Sequence, residues 1–259
     1  MTMTENATDD ASVFAHYPSL AGRPAFVSGG ATGLGREFVM QLAQQHARVA
    51  FCDLDADAGA LLAAETGALF LPVDVTDVTA VQAALGEASA RLGPIRVLVN
   101  NAANDTRRPV DDIDVAGWDE GIAVNVRHHF FAAQAVRAGM RAAGGGSIIN
   151  LGSISAHIDL VELPVYITAK AGIEGLTRTL AREFGGDGIR VNCIIPGWVM
   201  TPRQLSHWVG DAERAKIMAA QCLPELLYPA DVARLMLWLA ADDSRLCTAQ
   251  SWVVDGGWM

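Results

Sequence analysis

Tyr166 and Lys170 stand four residues apart in the run Tyr166-Ile167-Thr168-Ala169-Lys170. On a helix that spacing puts both side chains on one face. A free tyrosine titrates near ~10, too high for a base at neutral pH. An ammonium ~4 Å away, in an effective dielectric of ~20, contributes roughly 4 kcal/mol, or ~3 pKa units. That would bring the phenol into range for taking a proton from a hydroxyl. A Tyr/Lys pair alone is more often an ordinary helix-surface pair, so the rest of the chain must decide.

A second group of residues could hold a nucleotide. The run Ser28-Gly29-Gly30-Ala31-Thr32-Gly33-Leu34-Gly35 follows an apolar stretch and precedes a helical one. Glycines are needed where the backbone turns tightly against a pyrophosphate, and the free N–H groups at the following helix start attract the anion. The next apolar run ends at Asp53, eighteen residues after Gly35. An acid at that point can accept hydrogen bonds from both adenosine-ribose hydroxyls and would repel a 2′-phosphate. Thr32 and Leu54 supply no cation to neutralise such a phosphate, so NAD is expected rather than NADP. Arg36 is the one nearby cation that could reverse this.

Elements must bring these groups together. Ala25–Ser28, Arg48–Cys52, Ala68–Val73, Ile95–Val99, Ser147–Leu151, Arg190–Ile195 and Ser251–Val254 read as strands. Most are unbroken apolar runs, which means burial on both faces. Helical patterns fall near Gly33–Gln45, Asp57–Ala64, Val78–Arg91, Trp118–Ala142, Pro164–Phe184 and Asp231–Ala241. The alternation predicts an α/β fold: one Rossmann-type, doubly wound parallel sheet of about seven strands with helices on both faces, spanning 17–259. Residues 1–16 read as a flexible tail with neither the basic start nor the apolar stretch of a signal peptide. The long excursion 196–229, with several prolines, Trp198 and Trp208, has the character of a substrate lid.

The bulk properties narrow the function. The chain has 259 residues, 51% hydrophobic and 19% charged, with a net charge of -10. An acidic surface repels phosphate backbones and anionic lipids, so neither nucleic acid nor membrane is expected as a partner. Cys52, Cys193, Cys222 and Cys247 are scattered, without metal-site or disulfide-scaffold spacing. No metal is expected, Cys52 and Cys193 read as core thiols, and a reducing cytoplasm suits the composition.

Taken in order, Ser28-Gly29-x-x-x-Gly33-x-Gly35, Asn100-Asn101-Ala102-Ala103, Asn125, Ser153, Tyr166-x-x-x-Lys170 and Pro196-Gly197 closely resemble the short-chain dehydrogenase/reductase family. The resemblance runs from about Leu20 to Trp258. It implies that Tyr166 takes the substrate proton, that Lys170 holds the nicotinamide ribose and lowers the tyrosine pKa, and that Ser153 bonds the reacting oxygen. Asn125 would anchor a water linking Lys170 to solvent. Asn101 would pack against the cofactor with its neighbours Ala102 and Ala103. Asp74, followed by Val75, would meet the adenine amine. Val199 and Thr201, beyond Pro196-Gly197, would hold the carboxamide. Ser28 replaces the usual Thr and Ala103 the usual Gly. The first change keeps the hydroxyl, and the second removes backbone freedom. Family members are usually homotetramers, and the same is expected here.

For the substrate, the residues point to a mixed pocket. Asn104-Asp105-Thr106-Arg107-Arg108 follows the fourth strand, where ligands collect. Asn104, Asp105, His157 and Gln204 are candidate sugar contacts beside Ser153 and Tyr166, with Trp208 a possible aromatic platform. Arg107, Arg108 and Asp105 could equally be a solvated surface cluster. Segments Asn100–Arg107, Asn125–His128, Gly152–His157, Thr168–Gly175 and Ala219–Leu223 resemble bacterial aldose 1-dehydrogenases. That implies oxidation of a cyclic aldose, a pentose such as D-xylose or a related sugar, at C1 to an aldonolactone. Another NAD-linked alcohol, polyol, hydroxy-acid or oxoacyl enzyme, or a non-catalytic nucleotide-binding homologue, remains open on the residues alone.

Overall fold

The computed structural model describes residues 14–259. Of the expected tail, residues 1–13 lie outside the described residues, and 14–16 are exposed. Seven strands form one sheet: β1 (Pro24–Ser28), β2 (Arg48–Asp53), β3 (Leu69–Pro72), β4 (Val97–Asn100), β5 (Gly146–Leu151), β6 (Ile189–Pro196) and β7 (Ser251–Val254). All pair in parallel, in the order β3-β2-β1-β4-β5-β6-β7. The expected doubly wound sheet is therefore present, with each strand within two residues of its expected bounds.

The helices are α1 (Gly33–Gln44), α2 (Ala56–Thr66), α3 (Val78–Leu92), α4 (Val115–Ile122), α5 (His128–Ala142), α6 (Pro164–Phe184), α7 (Pro202–His207), α8 (Asp211–Ala220) and α9 (Pro229–Ala240). They explain why the strands are apolar throughout. On β1, Ala25 and Val27 meet Phe38 and Leu42 of α1 and Val232 and Met236 of α9. Phe26, pointing the other way, meets the layer of Leu85, Val136 and Leu180 from α3, α5 and α6. Local chemistry starts the helices: Asp55, Asp77 and Asp114 cap α2, α3 and α4 by accepting from Ala58 N, Ala80 N and Gly117 N. Among the described residues no helix is long and apolar enough to cross a membrane.

The chain departs from expectation between Trp118 and Ala142. The predicted single helix begins earlier, at Val115, and is interrupted by a π-turn over Ala123–Arg127. Asn125 lies in that turn and its side-chain amide donates to Gly121 O at 3.0 Å, inside the helix itself. An amide that competes for the ladder is a physical cause for one wide turn, and such turns cluster at functional sites.

Because β1 leads outward to β2 and β3 while β4 starts the other half, the loops after β1 and β4 part at the carboxyl edge. This crevice is where parallel sheets bind ligands.

Two buried histidines on α5 make the fold sensitive to acid. His128 and His129 are 1% and 0% exposed, with rings 4.4 Å apart. Burial, foremost, and the Lys170 charge depress both; His128 falls to about 4. Between pH 6.5 and about 4 the unfolded chain binds protons that the native imidazole refuses, so this contribution to stability is present above 6.5 and lost as pH falls. For His128 alone the loss is about 3 kcal/mol over that window. Denaturant melts of the protein and of His128→Gln should converge by that amount as pH drops from 6.5 to 4. Parallel curves would contradict it.

Candidate active site

β5 ends at Leu151, and the following Gly152 and Ser153 enter the crevice. Ser153 caps a short 3-10 turn, accepting from Ser155 N at 3.1 Å. α6 begins at Pro164, which suits a first helical turn because proline has no N–H to leave unpaired. Tyr166 and Lys170 follow on one face, and the two side chains line the same cleft as Ser153. Lys170 is 2% exposed, and its Nζ donates to Leu151 O at 2.7 Å while lying 5.4 Å from the Tyr166 ring centre.

The simple electrostatic expectation fails here. Enclosure, first, and then the Asp105 charge push the Tyr166 phenol above its ordinary value, and a hydrogen bond with Ser153 pulls back only part. Burial also lowers Lys170 to about 8. Desolvation outweighs the nearby ammonium, since removing a phenolate from water costs more than one cation beyond contact distance returns.

The nucleotide end is built by backbone contacts. Gly29 and Gly33 adopt φ of +65° and +57°, which a side chain would strain. A Cβ on Gly35 would collide with Gly29 O, and one on Gly29 would lie 2.7 Å from Ala102 Cα. Asn101 locks the loop, its Nδ2 donating to Ser28 O and Gly29 O at 3.0 and 2.9 Å. Ser28 differs from its expected role of touching cofactor. It is 4% exposed and its Oγ accepts from Asn101 N and Ala102 N at 3.0 and 3.2 Å, so it braces the groove from behind. Gly33 and Gly35 likewise shape the loop without lining the cleft, whereas Gly29, Thr32, Leu34, Asp53 and Leu54 line it. Asp53 Oδ2 accepts from Ala31 N at 2.9 Å and so ties the second strand to the glycine loop. Arg36 is turned away, its guanidinium on Glu65 at 2.7 Å. Val73 and Val75 line the cleft, but Asp74 is exposed at its edge with Oδ1 accepting from Thr76 N. Ala103 lines it too and avoids the left-handed region, so the missing glycine costs no strain. Pro196, Gly197, Val199 and Thr201 complete the wall, with Thr201 Oγ1 capping α7.

Three expected residues are engaged elsewhere. Asn125 Oδ1 accepts from Asn104 N at 2.9 Å and its Nδ2 donates to Asn104 O at 3.1 Å. The side-chain amide thus clamps the strap after β4. Asn104 itself turns from the cleft toward a small side pocket, where its Oδ1 accepts from Thr106 N and Oγ1. His157 pairs with Glu174 of α6 at 2.7 Å and does not line the cleft. In all three a polar partner close in space captures the side chain.

Asp105 and Gln204 do meet in the cleft, Gln204 Nε2 donating to Asp105 Oδ2 at 2.6 Å, while Trp198 Nε1 donates to Gln204 Oε1 at 2.9 Å. Arg107, which the sequence left between a ligand-collecting segment and a solvated cluster, lines the cleft and stacks on Trp208 and Trp198, while sequence reasoning missed the apolar wall of Ile158, Leu160 and Leu163. Nothing in the local pattern marks these loop residues. The whole cleft encloses about 410 Å³.

A tyrosine and a lysine on one helix, facing a glycine-lined groove at a sheet switch point, are the arrangement of short-chain dehydrogenases/reductases, and this chain belongs to that family. Residues 29–259 match the family model described as Enoyl-(Acyl carrier protein) reductase. The chain is 47% identical to D-xylose 1-dehydrogenase of Caulobacter vibrioides, over 93% of its own length and 98% of the relative's. It is 44% identical to the probable galactose dehydrogenase GalD of Rhizobium meliloti, over 93% and 96%. Among solved structures, 7α-hydroxysteroid dehydrogenase complexed with NADH and 7-oxo glycochenodeoxycholic acid matches with a TM-score of 0.89 at 28% identity, covering 93% of this chain and 96% of that one. The protein is a dehydrogenase acting on CH–OH groups, and its glycine-lined groove fits a nicotinamide dinucleotide.

Proposed function

We propose that the protein oxidises a cyclic aldose, a pentose such as D-xylose or a related sugar, at its anomeric C1–OH to the aldonolactone, with NAD. The observation that carries this reading is the polar end of the cleft: Asp105 and Gln204, joined at 2.6 Å, lie on the same cavity wall as Ser153 and Tyr166. The likeness to two sugar dehydrogenases supports it. A nicotinamide held in the glycine-lined groove would supply the hydride acceptor for C1. Tyr166 takes the hydroxyl proton, Ser153 holds the reacting oxygen, and Lys170, fixed by Leu151 O, orients the ribose hydroxyls. Asn125 acts at one remove, by holding the strap that carries Asp105. Asp53, which among the described residues has no free cation beside it, supports NAD over NADP. The 196–229 segment serves as a substrate lid. A homotetramer is also proposed, with Val115, Trp118 and Phe130 exposed along α4 and α5 available for burial.

A second reading is a secondary-alcohol dehydrogenase for an apolar substrate. It is favoured by Ile158, Leu160 and Leu163 in the wall and by the likeness to a hydroxysteroid dehydrogenase. Aldoses, polyols and hydroxysteroids offered with NAD, followed by NADH absorbance, separate the two. Turnover of aldoses supports the first reading. Turnover confined to steroids or simple alcohols would remove it.

A further inference from the structure

Resting on the sugar reading above, we propose that Arg107 determines sugar specificity: the edge of its guanidinium donates to hydroxyls remote from the anomeric carbon, and two indoles stand in for its counter-ion. Arg107 lines the cleft, half-buried, with its guanidinium carbon 4.8 Å from the Trp208 ring centre and 5.9 Å from that of Trp198. Among the described residues no carboxylate or carbonyl accepts from this guanidinium. The nearest acid in sequence, Asp105, is taken by Arg203 at 3.2 Å and Gln204 at 2.6 Å.

The aromatic faces change what such a cation can do. Indole rings attract a guanidinium through their electron-rich faces and leave its in-plane N–H groups unoccupied. A cation steadied this way has no need of an anionic ligand and can offer its fork to neutral acceptors. Adjacent hydroxyl oxygens on a pyranose ring present two acceptors side by side, which suits a planar pair of donors.

The platform is braced by its neighbours. Trp198 is held by Gln204 Oε1 at 2.9 Å and stacks on Trp258 at 6.5 Å between ring centres. Trp258 packs both against Ile173 and Ile195 of the main body and against Met200, Val209 and Ile217 of the 196–229 segment. With the 196–229 segment seated on the cleft as it is here, the donor fork is already aimed inward, which lowers the ordering cost of its hydrogen bonds.

The test combines substitution with deoxy sugars. D-xylose and its 2-, 3- and 4-deoxy analogues are titrated calorimetrically into the protein with NADH, and assayed for oxidation with NAD. Arg107→Met should weaken D-xylose binding and raise its KM about 10- to 100-fold, with kcat changed far less. Arg107→Lys, which keeps the charge but loses the fork, should recover only a small part. For the two analogues that each lack one hydroxyl of the pair, the substitution should cost clearly less than it does for D-xylose, because part of the fork's contact is already gone. Losses that simply add for every analogue would overturn the proposal, as would unchanged D-xylose binding in both variants. D-glucuronate binding more tightly than D-xylose through Arg107 would also overturn it, in favour of a carboxylate ligand. Arg107-dependent sugar binding without any oxidation would sink the proposed reaction and leave this assignment standing. Oxidation indifferent to Arg107 would do the reverse.

Discussion

Tyr166→Phe is expected to lower kcat for aldose oxidation by ~10³-fold or more while leaving NADH affinity within about two-fold. The substitution removes one oxygen and keeps the ring, so the cleft wall retains its shape. What disappears is the atom that exchanges a proton with the substrate oxygen. The pH profile gives a second signature. Enclosure and Asp105 hold the phenol above its ordinary value, so the base form is scarce at neutral pH. Oxidation by the unaltered protein should therefore accelerate as pH rises from 7. Lys170, lowered to about 8, loses its ammonium over the same range, and the rise should flatten there. Any residual rate in the variant should lack this limb. Stopped-flow absorbance of NADH formation across pH 6.5–9.5, about three pH units, reads both effects. Ordinary turnover by Tyr166→Phe would eliminate the assigned base.

Substitution of Asp53 should produce the next largest change, in cofactor choice. A carboxylate hydrogen bond to a ribose hydroxyl is worth about 1.5–3 kcal/mol, so Asp53→Asn and Asp53→Ala should weaken NAD roughly 10- to 100-fold. Both remove the charge that repels a 2′-phosphate, so kcat/KM for NADP relative to NAD should rise about 100-fold. The two variants differ in a useful way. Asp53 Oδ2 also accepts from Ala31 N in the glycine loop. Asn keeps an acceptor for that contact and Ala does not, so Asp53→Ala should in addition lose affinity for both nucleotides. An unchanged NADP/NAD ratio in Asp53→Asn would refute the assignment of this carboxylate.

The Tyr166–Lys170 pair shows where pattern reading works and where it stops. Helical spacing places two side chains on one face, and α6 does so from Pro164 onward. Spacing carries no information about what surrounds that face. What raises the phenol comes from distant parts of the chain: the enclosure first, and then the charge of Asp105. Asn125 makes the same point. Its position in the chain marked it as functional, but its partners, Gly121 and the Asn104 backbone, depend on a π-turn that helical periodicity cannot register.

By itself the sequence determined the sheet, most of its helices and the glycine loop with its strand-end acid. These rest on short-range rules: apolar runs demand two covered faces, and a glycine loop followed by a strand-end acid is read within thirty-odd consecutive residues, about one βαβ unit. Tertiary structure alone decided the substrate end. Arg107, Trp198, Trp208 and Leu160 come from three separate loops whose side chains have many rotamers and no periodicity. Only the closing of those loops over one cleft selects which polar groups pair with each other, as Asp105 does with Gln204, and which stay available to a sugar.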